Sequence, residues 1–149
     1  MQSADIPSAE SDAWNIAEAM SQGKPLLLRY RPGLEVLLGD ARYPKVLSIA
    51  WSYEETNSSG MPNDAQTEEM RDLEDSLQSC LDRDRTAVLA FVRTGSGIRT
   101  WYYYVSDVAE IGERINQVLD PGLPIQLTVE SDPEWQELRN VYASCNEEP

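Results

Sequence analysis

The sequence predicts an α+β fold: a ferredoxin-like βαββαβ antiparallel sheet core with an N-terminal β-hairpin and a C-terminal helix. The 149 residues are 41% hydrophobic and 26% charged, which is ordinary for one globular domain. Segments in which apolar residues recur at every second position alternate with segments of helical spacing. Between residues 43 and 130 they follow the order strand, helix, strand, strand, helix, strand. That order is typical of the ferredoxin-like split unit.

The N-terminal hairpin is predicted over residues 14–31. Two apolar segments flank the turn-forming residues 21–24, and the second, PLLLRYR, is too short for a helix and ends at Pro32 and Gly33. The first segment, WNIAEAM, is also compatible with a helical turn, because Ala, Glu and Met favour helix. Residues 33–42 are predicted to form a loop.

A strand and an amphipathic helix follow. VLSIAWSY places Leu47, Ile49, Trp51 and Tyr53 on one face of a strand. Asn63 and Gln66 form a capping pair for the helix, which is predicted to end near residues 83–85. Its apolar residues recur at helical spacing: Met70, Leu73, Leu77, Cys80 and Leu81.

The second half predicts a hairpin, a helix, a strand and a last helix. Residues 87–92 and 99–105 are strands joined by a glycine-containing turn within TGSGIRT. Asp107 caps a helix that stops at residues 120–122, and residues 125–130 alternate as a half-buried strand. Pro133 is expected at the first position of the last helix, with Trp135, Leu138 and Tyr142 on its buried side. The strands of 87–105 are apolar on both faces, so we expect the N-terminal hairpin and the last helix to cover the second face.

The chain is predicted to form one domain. Residues 1–12 are interpreted as a disordered acidic arm, residues 13–145 as the domain, and residues 146–149 as a frayed tail. The first twelve residues lack the basic and apolar regions of a signal peptide, and no apolar run approaches the length of a membrane span. Cys80 and Cys145 are far apart in sequence, which favours a reducing, cytoplasmic location.

Charge predicts the class of partner. The chain has 26 acidic and 12 basic residues, a net charge of −14. A negative field repels nucleic acids and anionic membranes and attracts a basic protein partner. The alternative interpretation is that the charge only keeps the protein soluble.

The residue types argue against an enzyme. Histidine is absent, neither cysteine lies in a Cys-x-x-Cys pair, and there is no phosphate-binding glycine motif. We therefore predict no catalytic residues, no cofactor and no metal. The alternative is a magnesium site at Glu68, Asp72 and Asp75, which share one helix face; an exposed acidic face is the simpler interpretation.

The candidate partner-binding residues are acidic or aromatic: Glu68, Glu69, Asp72, Asp75, Trp51 and Trp101. The aromatic strand IRTWYYYV is expected to pack in the core or at an interface, since it lacks the basic and glycine positions of RNA-binding strands. Arg29 and Arg31 lie on one strand, and Arg93 and Arg99 flank the glycine turn. They are expected to pair with the chain's own acids, or to bind a small carboxylate.

Five short segments, in order, carry a family resemblance: Trp14 followed by GKPLLLRYR, YPKVLSIAWSY, an acidic helix, GIRTWYYYV and DPEWQ. From about Trp14 to Tyr142 the chain resembles the bacterial family of unknown function DUF695. That family is similar in predicted topology to regulators of ribonuclease activity type B, small acidic proteins that inhibit an RNA-degrading enzyme by contact. The resemblance implies a non-catalytic binder and assigns no catalytic residue.

Two functions follow as hypotheses. The first is an acidic protein-binding domain, an inhibitor or immunity-type protein that masks a basic partner such as a nuclease or toxin. The second is a small-molecule-binding regulatory module of ferredoxin-like topology.

Overall fold

The computed structural model describes residues 15–21, 23–31, 34–56, 60–81, 87–119, 122 and 124–146. Within them the strands are β1 (Asn15–Ser21), β2 (Lys24–Tyr30), β3 (Lys45–Ser52), β4 (Ala87–Gly95), β5 (Ile98–Val105) and β6 (Ile125–Ser131). The helices are α1 (Asp64–Leu81), α2 (Val108–Val118), α3 (Gln136–Asn146) and a 3-10 helix (Leu34–Leu37). The predicted α+β class is confirmed. The predicted arm 1–12, the helix end at 83–85 and the tail residues 147–149 lie outside the described residues.

One antiparallel sheet contains the six described strands, in the order β1-β2-β4-β5-β3-β6. The N-terminal hairpin is confirmed, because β1 pairs with β2 from Asn15 opposite Tyr30 to Ser21 opposite Lys24. The helical alternative for WNIAEAM is therefore wrong for Asn15 onward. The hairpin does not cover the second face of the sheet as predicted: β2 pairs with β4, which satisfies backbone groups that a free hairpin would leave open. The six-stranded order thus differs from that of the predicted four-stranded core.

The first face of the sheet carries α1 and α2. Alternate residues of β3 (Leu47, Ile49 and Trp51) point to this face, as predicted, and pack against the apolar stripes of both helices. The cap of α1 is also as predicted. Asn63 N–H donates to Gln66 Oε1, and Gln66 N–H donates to Asn63 Oδ1, both at 2.8 Å.

The second face carries the 3-10 helix and α3. The 3-10 helix lies in the segment predicted as a loop, and its Leu34 and Leu37 are fully buried. Side chains at positions i and i+3 of a 3-10 helix share one face, so both leucines enter the same cluster as Tyr104 and Trp135. This short element, together with α3, covers the face that the hairpin was expected to cover.

Helix α3 begins later than predicted. Its first residue is Gln136, so Pro133 precedes the helix, and Trp135 adopts a positive φ of 60°. Asp132 caps the helix, because its carboxylate accepts from the N–H groups of Gln136 (2.8 Å) and Glu137 (3.0 Å). Trp135 stacks on Tyr104 with 3.9 Å between ring centroids. The turn at Asp132 thus directs Trp135 into the core.

A bulge and a tight turn shape the β4–β5 hairpin. The register shifts between Leu89 and Phe91, so that the consecutive residues Ala90 and Phe91 both belong to the second cluster and Val92 returns to the first. The predicted turn is confirmed and consists of Ser96 and Gly97, with φ values of 51° and 83°. Two positive φ values match the twist of a two-residue hairpin turn, and Gly97 adopts its value without strain.

Strand β6 is an edge strand and is more exposed than predicted. It pairs with β3 along its length. Leu127 and Val129 remain 40% and 41% exposed. The half-buried strand predicted from the alternation is therefore correct in its pairing and wrong in its burial.

Candidate functional site

A cleft of about 220 Å³ lies between α1 and the β1–β2 hairpin. Residues of β1, β2, α1, β4 and β5 line it: Ile16, Leu27, Arg29, Thr67, Arg71, Glu74, Val92, Thr94 and Arg99. The cleft combines three guanidinium groups with one carboxylate, whereas acidic residues outnumber basic ones in the whole chain. It is therefore a locally basic site on an acidic protein.

Strand register brings two of these arginines together. Arg29 of β2 lies opposite Val92 of β4. Arg99 of β5 lies opposite Thr94 of β4. Residues two apart on a strand point to the same face, so Val92 and Thr94 place Arg29 and Arg99 side by side on the face that carries α1.

Glu74 of α1 is the carboxylate in the cleft. Its Oε1 atom accepts hydrogen bonds from Arg29 Nη2 (2.5 Å) and Trp101 Nε1 (2.8 Å), and its Oε2 accepts from Gln78 Nε2 (3.4 Å). The Glu74 side chain is 12% exposed. These donors replace the water that the carboxylate loses on burial, and they fix Arg29 against the helix.

Arg99 lies close to the other two arginines. Its Nε donates to Thr94 Oγ1 at 2.9 Å. Burial lowers the pKa of the Arg99 guanidinium, and the charges of Arg29 and Arg71 lower this pKa further, against the opposite effect of Glu74. Within the described part of the chain, neither Arg71 nor Arg99 forms an ion pair. The cleft therefore holds more positive charge than its own carboxylate neutralises.

The four acidic residues that were predicted to bind a partner are exposed on α1: Glu68, Glu69, Asp72 and Asp75. None of them forms an ion pair with another described residue. No group of three His, Cys, Asp or Glu side chains in the described ranges is arranged to hold a metal ion. The structure thus gives no support to the magnesium alternative at Glu68, Asp72 and Asp75.

Trp51 and Trp101 do not lie on the surface where a partner would meet them. Their exposed fractions are 7% and 0%, and both belong to the core between the sheet and helices α1 and α2. Tyr103 packs in the same core, and Tyr102 stacks on Phe91 on the other face. The aromatic strand is therefore packed inside the protein, as the packing interpretation predicted.

The other two arginines that the sequence analysis noted lie outside the cleft. Arg31 is fully buried, and its Nη1 donates to the carbonyl of Leu89 at 2.9 Å. Arg93 lies over the ring of Tyr102, 5.6 Å from its centroid. Of the four, Arg29 and Arg99 line the cleft.

Arg71 and Glu74 were not recognised from the sequence as members of a site. Both flank the apolar stripe of α1 that contains Met70 and Leu73. Residues three apart on a helix are neighbours, so two opposite charges beside that stripe indicate side chains that reach toward the sheet. The partner strands could not be inferred, because they depend on the non-local pairing of β2 with β4.

The comparisons with known proteins identify a family and no relative of known function. None of the described helices is long and apolar enough to cross a membrane. Searches of the curated proteins and of the solved structures give no match. The model of the family of unknown function DUF695 matches residues 12–141, and the chain belongs to that family.

Proposed function

We propose that this protein is a non-catalytic, acidic protein-binding domain that masks a basic surface of another protein. It acts as an inhibitor or immunity-type protein in the bacterial cytoplasm, with a nuclease or toxin as the kind of partner it fits. One observation carries the proposal: the exposed face of α1 presents Glu68, Glu69, Asp72 and Asp75 without an ion pair to any described residue.

Repulsion within this acidic face favours a basic partner. Glu68 and Asp72 are four residues apart on α1, where like charges destabilise a helix by about 0.2–0.5 kcal/mol. A lysine- or arginine-rich surface placed against the helix would replace that repulsion with attraction. The net charge of −14 would also accelerate the encounter at low ionic strength.

We also propose that the part of the chain from β3 to β6 is a ferredoxin-like unit with the topology of regulators of ribonuclease activity type B. The strand order β6-β3-β5-β4 within the sheet, with α1 and α2 on one face, supports this relationship. Because those regulators inhibit by contact, the relationship favours a role as an inhibitor that binds its partner directly.

Affinity purification at two ionic strengths tests the protein-binding function. The tagged protein is expressed in its own host, captured at about 50 mM and about 500 mM NaCl, and its partners are identified by mass spectrometry. We expect a basic protein that is retained at low salt and lost at high salt, since screening weakens contacts between exposed charges. The quadruple variant E68Q/E69Q/D72N/D75N should lose this partner.

A matched variant distinguishes the effect of the acidic residues on α1 from the effect of the net charge of the protein. E18Q/E113Q/E130Q/E134Q removes the same number of charges at exposed positions outside α1. It should retain the partner. Equal loss in both variants would refute a specific role for α1, and recovery of no salt-sensitive protein by the unmodified chain would refute the function itself.

A second candidate function is favoured by the arginine cleft. A small-molecule-binding regulatory module requires a concave site with a few convergent polar groups, and the cleft between α1 and the hairpin has that form. This function involves different residues from the acidic face, so either function can be tested without the other.

A further inference from the structure

Among the residues that the structure describes, the cleft between α1 and the β1–β2 hairpin concentrates more positive charge than its own carboxylate neutralises. Glu74 accepts a short hydrogen bond from Arg29, whereas Arg71 and Arg99 have no carboxylate partner within the described residues. A chain with 26 acidic residues has many carboxylates that could pair with two arginines. Arg71 and Arg99 line a shared cavity instead of pairing with a described carboxylate, and this arrangement requires an explanation.

From this feature we propose that the cleft is a binding site for a small dianion, a dicarboxylate or a phosphate, held by the guanidinium groups of Arg71 and Arg99. The inference names the ligand class for the second candidate function and rests on that function. Guanidinium groups bind carboxylate and phosphate oxygens in pairs, through two parallel N–H donors. Two of them in one cleft match the two charges of such a ligand.

The Arg99 side chain is already oriented for such a contact. The hydrogen bond from Nε to Thr94 Oγ1 fixes the guanidinium plane at one end, and the terminal nitrogens extend from that fixed point. Because less side-chain freedom remains to be lost on binding, each new hydrogen bond contributes more to affinity. Arg71 is exposed on α1 and can adjust to the second charge.

The cavity limits the size and shape of the ligand. Its volume of about 220 Å³ is below the roughly 300–1,000 Å³ of sites for drug-sized molecules, so the ligand is small. Leu27 and Val92 form part of the wall beside the arginines and offer an apolar surface. A dicarboxylate with a short hydrocarbon chain fits this combination, and so does a small phosphate ester or free phosphate.

Inside the cleft, the positive charge of the arginines outweighs the negative charge of the surrounding protein surface. At physiological ionic strength, exposed charges farther away than about 8 Å are largely screened. An anion in the cleft is in direct contact with the guanidinium groups, whereas Glu68 and Asp75, the helix neighbours of Arg71, are exposed to solvent, which weakens their repulsion of the anion. Binding should therefore be detectable at ordinary salt concentrations.

The NMR resonance of the Trp101 indole N–H group can report binding at the site. Its Nε1–H group donates to Glu74 Oε1, the atom that also accepts from Arg29. An anion that binds to the arginines will change this hydrogen bond. The chemical shift of the indole N–H proton will therefore change. The indole of Trp135 donates to the carbonyl of Tyr43 under the opposite face of the sheet, and it serves as an internal control.

The experiment is a titration of the ¹⁵N-labelled full chain with succinate and, separately, with inorganic phosphate at constant ionic strength. We expect a saturable shift of the Trp101 indole, assigned with W101F, and no shift of the Trp135 indole. A response to succinate alone identifies a carboxylate site, and a response to phosphate alone identifies a phosphate site. Either response supports the proposal.

Variants test whether the arginines hold the ligand. R71Q and R99Q should each raise the dissociation constant about tenfold, the effect of losing one charge-assisted contact. R71K, which keeps the charge without the planar fork, should weaken binding less than R71Q. Arg139 is exposed on α3, on the other side of the sheet, and R139Q should bind normally.

The outcomes distinguish failure of this binding site from failure of the second candidate function. A saturable effect on other resonances, with the Trp101 indole unchanged, would overturn this site and leave small-molecule binding in place. Equal affinity in R71Q and the unmodified protein would likewise overturn the site. If neither anion produces a saturable effect on any resonance, both the site and the second candidate function are overturned.

Discussion

Among the described ion pairs, Glu74–Arg29 and Asp40–Arg42 lie in different surroundings. Glu74 is nearly buried and accepts from Arg29, Trp101 and Gln78, so it links α1 to two strands. Asp40 lies at the surface and accepts two side-chain hydrogen bonds from Arg42, at 3.0 Å and 2.8 Å. The first contact organises the cleft, and the second stabilises the local turn that precedes β3.

The Asp40–Arg42 pair predicts a pH dependence of stability. The side-chain hydrogen bond from Arg42 lowers the pKa of Asp40 below its ordinary value of 3.8. A carboxyl group with a lowered folded-state pKa stabilises the fold above its unfolded pKa, and this contribution is lost as the pH falls through the folded pKa. D40N should therefore be less stable than the unmodified protein at pH 7, by about 0.5 kcal/mol for an exposed pair.

Urea unfolding at a series of pH values measures this difference. The gap in unfolding free energy between D40N and the unmodified protein should be constant from pH 7 to about pH 5 and should shrink below pH 4. Because both proteins share the remaining carboxylates, their other titrations cancel in the comparison. A gap that widened toward low pH would contradict the assigned direction of the pKa shift.

At the scale of elements, the 3-10 helix has a larger role than its length suggests. Leu34 and Leu37 are fully buried against α3 and the second face of the sheet. Nearby glycines make the segment resemble a loop in sequence, and the spacing of three residues between the leucines is the signal of a 3-10 turn. Together with α3, the element closes the core that the sequence pattern predicts to be covered by the hairpin and the last helix.

Truncation of one leucine tests that role. L37A should lower the unfolding free energy by about 2–5 kcal/mol, because it leaves a cavity in a packed cluster. L127A removes the same atoms from edge strand β6, where the side chain is 40% exposed, and should cost far less. Thermal and urea unfolding of the two variants give the comparison. Similar losses in both would show that the 3-10 helix is not a core element.

Local signals explain which elements the sequence could predict. The caps at Asn63 and Asp107 and the turn at Gly97 depend on residues a few positions apart, and all three are present. The position of Trp135 depends on a turn at Asp132 that resembles a helix start in sequence. The register between β2 and β4 is non-local, so the sequence predicted the acidic face of α1 but not the arginine cleft beside it.

At the scale of the whole molecule, three layers combine with a strong charge imbalance. The sheet has α1 and α2 on one face and the 3-10 helix with α3 on the other, so strands β3, β4 and β5 are buried on both sides. The surface must then carry most of the net charge of −14. Self-repulsion of that charge destabilises the compact state, and the same charge attracts a basic partner.

The net charge predicts that salt stabilises the isolated protein. Raising NaCl from about 20 mM to about 200 mM shortens the Debye length and screens the repulsion between acidic side chains. The urea concentration at the midpoint of unfolding should therefore increase. NaCl is the suitable salt, because sulfate also stabilises proteins through its exclusion from their surface.

The quadruple variant of α1 tests where this repulsion is concentrated. E68Q/E69Q/D72N/D75N should be more stable than the unmodified protein at low salt and less sensitive to added NaCl, since the exposed face of α1 then lacks four carboxylates that repel one another. A salt-independent midpoint in the unmodified protein would contradict self-repulsion. If the acidic face exists for a partner, the substitutions that abolish binding are thus expected to stabilise the free protein.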